Sequence, residues 1–334
     1  MNEILKDNFN RRITYLRISV TTDCNLQCFY CATGGKPINS LLSFDEIIKI
    51  VSAAAKLGIY KIRITGGEPL LRENLSELVK RISEIKEIND ISITTNGHLL
   101  PQLARELKAA GLNRLNISLD SLNPEIYKKI NGGSLGNVLK GIRIAKKYFE
   151  DVRINMVVIK DINDNEAEKF IEFGKKENLT VRFLELMPNK GQSTNPPFLK
   201  GIRGILYYCN QQFLSNETLI SKLRGKYILS RLSDNEKKGS AEWFLVDNGP
   251  QKIGFISPIS KPFCADCNRM RLTSSGELIP CLHGKERISL REVLHADNYE
   301  KLIIKKLHFA AQRKVSGHQL NSGKTFCEMK IIGG

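Results

Sequence analysis

With 334 residues, 41% of them hydrophobic, the chain can bury one large core or two of unequal size. Its eight cysteines are too few for a disulfide scaffold, and six fall in two tight triplets, which points to metal and a reducing compartment. The net charge of +16 suits nucleic acid, an anionic surface or a polyanionic small molecule and selects none of them; with a charged Met1 to Arg12 and no membrane-length apolar run, a cytoplasmic protein is expected.

The first apolar run, Ile13–Val20, reads as a strand and leads into Cys24-Asn25-Leu26-Gln27-Cys28-Phe29-Tyr30-Cys31. Three thiolates so spaced can hold three irons of a cubane cluster that normally takes four cysteines, leaving one iron open. An open coordination position belongs to a metal site that does chemistry rather than one that holds a fold together. A structural zinc site needs a fourth ligand, and the first histidine in the chain is His98. The triplet with Tyr30 resembles the signature of the radical S-adenosylmethionine (SAM) superfamily, whose open iron binds the amino and carboxylate groups of the methionine moiety.

Further β-branched runs follow at Tyr60–Thr65, Asp90–Thr94, Asn113–Leu119, Arg153–Ile159 and Val181–Leu186. Between them lie helical patterns near Phe44–Leu57, Asn74–Ile85, Leu99–Ala110, Gly136–Tyr148 and Asn165–Glu177. Strands alternating with helices form either an open doubly wound sheet or a full or partial barrel. The chain is expected to form an α/β partial (β/α)6 barrel, because its unusual residues recur where barrel active sites are built, at the carboxyl ends of strands. These are the first cysteine set, Gly66-Gly67-Glu68-Pro69, Thr94-Thr95-Asn96-Gly97, Ser118 with Asp120, and Met187.

The rhythm stops near Pro188, dividing the chain into residues 1–187 and a smaller C-terminal α+β region, 188–334. There Tyr227–Ser233, Trp243–Asp247 and Lys252–Ile256 read as antiparallel strands and Asn298–Arg313 as a helix. A second set, Cys264, Cys267 and Cys281, suits either another iron–sulfur cluster or, with His283, a Cys3His zinc site. Arg269 and Arg271, flanking Met270, point to one side of an extended segment and can aim two guanidinium forks at one anion. Arg17 and Arg63 lie inside β-patterned runs, where a charge needs an anionic partner.

Together these motifs, with the terminal Gly333-Gly334, resemble the GTP 3′,8-cyclase family of molybdenum cofactor biosynthesis (protein A), over nearly the whole chain and only loosely at 188–250. The resemblance implies a radical SAM lyase with two [4Fe–4S] clusters. Reduction of the N-terminal cluster would cleave SAM to a 5′-deoxyadenosyl radical that abstracts the 3′ hydrogen of GTP. Addition to C8 of guanine and reduction would then give (8S)-3′,8-cyclo-7,8-dihydroguanosine 5′-triphosphate. It further implies Cys24, Cys28 and Cys31 as ligands of the SAM cluster and Cys264, Cys267 and Cys281 as ligands of the second. Tyr30, Gly67, Ser118 and Met187 match SAM contacts; Arg17, Arg63, Thr94, Arg269, Met270 and Arg271 match the GTP site, with Arg153 where the family often has lysine. The implied partners are GTP, a reductant, the downstream cyclic pyranopterin monophosphate synthase and a second copy of the chain, with neither membrane nor nucleic acid. The alternatives are another radical SAM enzyme with an auxiliary cluster, or a nonenzymatic nucleic-acid-binding protein clipped by metal.

Overall fold

Six parallel strands form where the alternating pattern places them: β1 Tyr15–Ser19, β2 Lys61–Thr65, β3 Asp90–Thr95, β4 Arg114–Ser118, β5 Val152–Val158 and β6 Thr180–Glu185. They pair side by side in chain order, so every crossover steps the same way and the sheet curls as a partial barrel instead of winding in two directions. The computed structural model describes residues 4–31, 40–187, 212–232 and 239–318. The interval 188–211, Cys209, Cys327 and the Gly333-Gly334 tail lie outside the described residues, wholly or in part.

The crossovers carry helices α1 Phe44–Lys56, α2 Leu75–Ser83, α3 Leu100–Ala109, α4 Pro124–Asn131, α5 Leu135–Ala145 and α6 Ala167–Glu177. Ser43 and Glu46 close a capping box at the start of α1. The helix α4 falls in a stretch to which the sequence pattern assigned no element. Asn123 caps it by accepting from the backbone N–H of Glu125 and Ile126, Pro124 supplies a preset first turn, and Gly132 ends it at φ 74°. Between sheet and helices lies one large apolar core that includes Ile18, Ile62, Ile93, Leu115, Ile154 and Phe183. A small second cluster, Phe29, Ile130, Ile159 and Leu186, sits beyond the carboxyl ends of the strands.

The C-terminal strands form antiparallel ladders as expected, β7 Leu229–Arg231 with β8 Glu242–Val246 and β8 with β9 Lys252–Ile256. They do not make a separate sheet. β9 pairs in parallel with β6, and β10 Arg269–Leu272 pairs in parallel with β1, followed by β11 Glu277–Ile279 and β12 Ile288–Ser289. One twelve-stranded sheet results, in the order β12-β11-β10-β1-β2-β3-β4-β5-β6-β9-β8-β7. A partial barrel leaves two edges of unpaired backbone groups, and these segments cover both. Helices α7 Asn216–Arg224 and α8 Tyr299–Gln312 pack outside, and no described helix is long and apolar enough to cross a membrane.

Candidate active site

Addition of β10 to β1 builds the site. Strand register aligns Arg271, Arg17, Arg63 and Ser92 in one row across β10, β1, β2 and β3, and Arg269, Tyr15, Lys61 and Asp90 in the row before it. Alternation turns both rows to one face, where every member except the fully buried Ser92 lines a cavity of about 1100 Å³ together with Arg153 and Arg182. The first cysteine loop leaves the carboxyl end of β1, whereas Cys264 and Cys267 precede β10 and lie near the amino end of β1, where Asn268 O accepts from Tyr15 N. All six cysteines line the same cavity. The rows of cations therefore stand between the two cysteine sets, and Tyr15 to Thr21 alone spans roughly 20 Å at ~3.3 Å per residue.

The first loop is pinned by its own sequence. Phe29 enters the small apolar cluster, while the backbone N–H groups of Gln27 and Phe29 donate to the carbonyls of Asn131 and Ile130 at the end of α4 (3.0 and 3.1 Å). Asn131 Nδ2 donates to Cys28 Sγ at 3.1 Å and to Asp120 Oδ2 at 2.8 Å. The same carboxylate accepts from Tyr30 Oη at 2.6 Å, and its other oxygen from Val157 N at 2.9 Å. Burial, then the Asp120 charge, holds the Cys28 thiol and the Tyr30 phenol well above their usual ranges. Glu68 lies beside this end, accepting from Leu70 N, Thr95 Oγ1 and Asn96 N, and burial pushes it up to about 7 against those bonds. Asn96 Nδ2 donates to Asn25 Oδ1 at 2.7 Å, tying the turn after β3 to the cysteine loop.

Gly67 fits this cradle because it has no side chain. A Cβ there would stand 2.3 Å from Asp23 O, a backbone atom of the cysteine loop. Gly67→Ala should therefore destabilise the chain by about 1–3 kcal/mol, read as a lower thermal midpoint, and displace the loop.

The other end is strongly basic. Burial and the neighbouring Arg271 hold Arg17 well below the usual arginine range, and burial with Arg63 and Arg153 does the same to Arg182. For Tyr15, burial alone would raise the phenol, but Arg63, Arg17, Arg269 and Lys61 together bring it down to about 8. The cations Arg63, Arg269 and Lys61 stand 5.2–5.7 Å from its ring centre. Of the carboxylates lining the cavity, Asp90 pairs with Lys61 at 3.0 Å, while Glu185 accepts from the backbone N–H groups of Asn216, Ile259 and Ser260. Arg153 is held bidentate by Asp151 at 2.7 and 2.6 Å, which leaves its guanidinium less available than the others.

The described residues matched to cluster, SAM and GTP contacts converge here with one exception. Tyr30, Gly67, Thr94, Ser118, Met187 and the arginines all line the cavity. Met270 does not: between Arg269 and Arg271 the alternation sends its fully buried side chain into the apolar core on the opposite face. Lys61, Tyr15, Arg182 and Asn131 were missed. Arg182 carried the same signal as Arg17 and Arg63, a charge inside a β-patterned run, whereas nothing local marks Asn131 at the end of α4.

The donor set fits the groups that the sequence implied. Buried polar atoms without a partner among the described residues gather on this cavity: Tyr15 Oη, Thr94 Oγ1, Asn155 Oδ1, Arg182 Nε, Arg269 Nε and His283 Nδ1. Such atoms need a polar ligand that offers acceptors to the guanidinium N–H groups and a donor to Asn155 Oδ1. Burial, with His318 and Arg271, brings His283 down to about 3, which keeps that imidazole neutral. Among the described residues no three His, Cys, Asp or Glu side chains converge on a single ion.

Residues 18–174 match the Radical SAM superfamily and residues 179–320 match Molybdenum Cofactor Synthesis C. A GTP 3′,8-cyclase of Alkaliphilus oremlandii is 40% identical over 322 residues, 95% of each chain. One from Desulforamulus reducens is 41% identical over 327 residues, 95% of this chain and 96% of that protein. Streptococcus suis SuiB bound to S-adenosylmethionine shares the fold, with a TM-score of 0.61 at 16% identity over 91% of this chain and 69% of that one. Near-complete coverage at this identity means that the chain belongs to the GTP 3′,8-cyclase family of radical SAM enzymes.

Proposed function

We infer that the chain is a radical SAM lyase that converts GTP to (8S)-3′,8-cyclo-7,8-dihydroguanosine 5′-triphosphate in the first step of molybdenum cofactor biosynthesis. The observation that carries this reading is the single cavity in which the rows Arg271, Arg17, Arg63 and Arg269, Tyr15, Lys61 separate two open cysteine sets. A nucleoside triphosphate supplies the negative charge that these cations need.

In this reading residues 1–187 form the radical SAM unit and 188–334 the auxiliary region. Cys24, Cys28 and Cys31 hold the first [4Fe–4S] cluster and Cys264, Cys267 and Cys281 the second. When bound, the first cluster with SAM supplies hydrogen-atom abstraction. Asp120 fixes Tyr30 and, through Asn131, Cys28, so that the loop offers one geometry to SAM beside Gly67, Ser118 and Met187. Arg17, Arg63, Thr94, Arg269 and Arg271, with Lys61, Arg182 and Tyr15, hold GTP, and Arg153 acts at longer range. Apolar Phe29 and Leu186 keep water from the reacting end. An external reductant, a cyclic pyranopterin monophosphate synthase that consumes the product, and a homodimer complete the reading.

The test is 5′-deoxyadenosine formation by the cluster-loaded, reduced protein with and without GTP, together with detection of the cyclised nucleotide. GTP-dependent cleavage with that product is expected; cleavage indifferent to GTP would overturn the substrate. The lowered Tyr15 phenol adds a pH signature. Above its value of about 8 the phenolate adds negative charge to the anion site, so the Kd for GTP should rise ~tenfold from about pH 7 to about pH 9. Calorimetry on Tyr15→Phe should show that rise removed.

A further inference from the structure

Lys314 lies two residues past the end of α8 and is only 5% exposed. Its ammonium carries three N–H donors and meets three acceptors: Arg269 O at 2.8 Å, Pro280 O at 3.0 Å and Cys267 Sγ at 3.7 Å. These acceptors sit on the turn carrying Cys264 and Cys267, on the first residue of β10, and on the residue before Cys281. One side chain thus spans both arms of the second cysteine set. Among the described residues Lys314 takes part in no ion pair with a carboxylate. A buried ammonium is costly unless an anion faces it, and the group in contact that can be anionic is the Cys267 sulfur. Arg11 differs: its Nη1 donates to Cys264 O at 2.6 Å, but its charge is matched by Asp7 at 2.6 Å.

We propose that Lys314 is a positioning residue for the second cysteine set, holding its two arms in ligating geometry and balancing the negative charge of the cluster they bind. The assignment rests on the reading of Cys264, Cys267 and Cys281 as cluster ligands. A fixed positive charge beside a thiolate ligand favours the more negative, reduced state of a cluster and so raises its reduction potential. Lys314 would accordingly set both how firmly the second cluster is held and how readily it accepts an electron.

The full chain with Cys24, Cys28 and Cys31 replaced by Ala carries only the second set, so its iron content and EPR-monitored midpoint potential report that site alone. In this background Lys314→Met should weaken iron retention against a chelator by about 10–100-fold, as is typical when a group supporting a metal ligand is lost. Lys314→Gln keeps amide donors for the two carbonyls but not the charge; it should retain more iron and shift the midpoint potential negative. If the Met variant does not fold, the Gln midpoint decides. Full iron retention and an unshifted midpoint in the variants would overturn the role of Lys314. A background chain that keeps Lys314 and binds no iron would instead refute the reading of the cysteines, and the assignment with it.

Discussion

Cys24→Ala is expected to leave the chain folded but abolish SAM cleavage, a fall of at least ~1,000-fold in 5′-deoxyadenosine formation. Cys24 Sγ accepts from Leu26 N at 3.4 Å, but most of the loop's support comes from elsewhere. Phe29 in its apolar cluster, the backbone bonds to Asn131 and Ile130, and Glu68 N donating to Asp23 O at 2.7 Å hold it independently. Cys24 is half-buried, so its replacement leaves no large cavity in the core. What is lost is one of three soft ligands, and a cubane held by two thiolates is not retained. Iron per chain should fall by about half, from two clusters to one, while the thermal midpoint stays close to that of the parent. Undiminished cleavage in a protein with full second-site iron would contradict the assignment of the first triplet.

Arg271→Ala should act on the other end of the cavity and leave the first cluster in place. Loss of a buried charge-assisted donor removes about 1.5–3 kcal/mol, so GTP should bind about 10–150-fold more weakly, measurable by calorimetry or as the GTP dependence of product formation. The same change should not destabilise the ligand-free chain. Burial and Arg271 both hold Arg17 below its usual range, so removing Arg271 relieves like-charge repulsion along the row. The expected pair of results is weaker GTP binding with an unchanged or higher thermal midpoint. A site built of mutually repelling cations is strained until an anion fills it, a common trade of stability for function. Normal GTP affinity in Arg271→Ala and Arg269→Ala alike would remove the clamp.

Much of this arrangement was legible in the amino-acid sequence. Period-two and period-3.6 patterns located β1 to β6 and five of the helices between them, because each element buries one face and the pattern records which. Strand alternation put Arg269 and Arg271 on one face, and the same rule, applied to Met270, would have excluded its side chain from the site. The helix α4 was legible too, since Asn123-Pro124 ahead of it and Gly132 behind it are ordinary start and stop signals.

The sequence by itself determined the element types, the spacing that makes two three-thiolate nests, and the positive charges inside strands. Tertiary structure alone decided that β10 joins the free edge of β1 in parallel, far across the chain. That pairing sets Arg271 opposite Arg17 and brings the second cysteine set into the cavity of the first. It also decided that Asn131 reaches Cys28 and that Lys314, from the end of a distant helix, closes over Cys267. The physical reason is that local periodicity records only which face of a segment is buried. The choice of partner edge and register depends on which backbone groups the rest of the fold leaves unpaired.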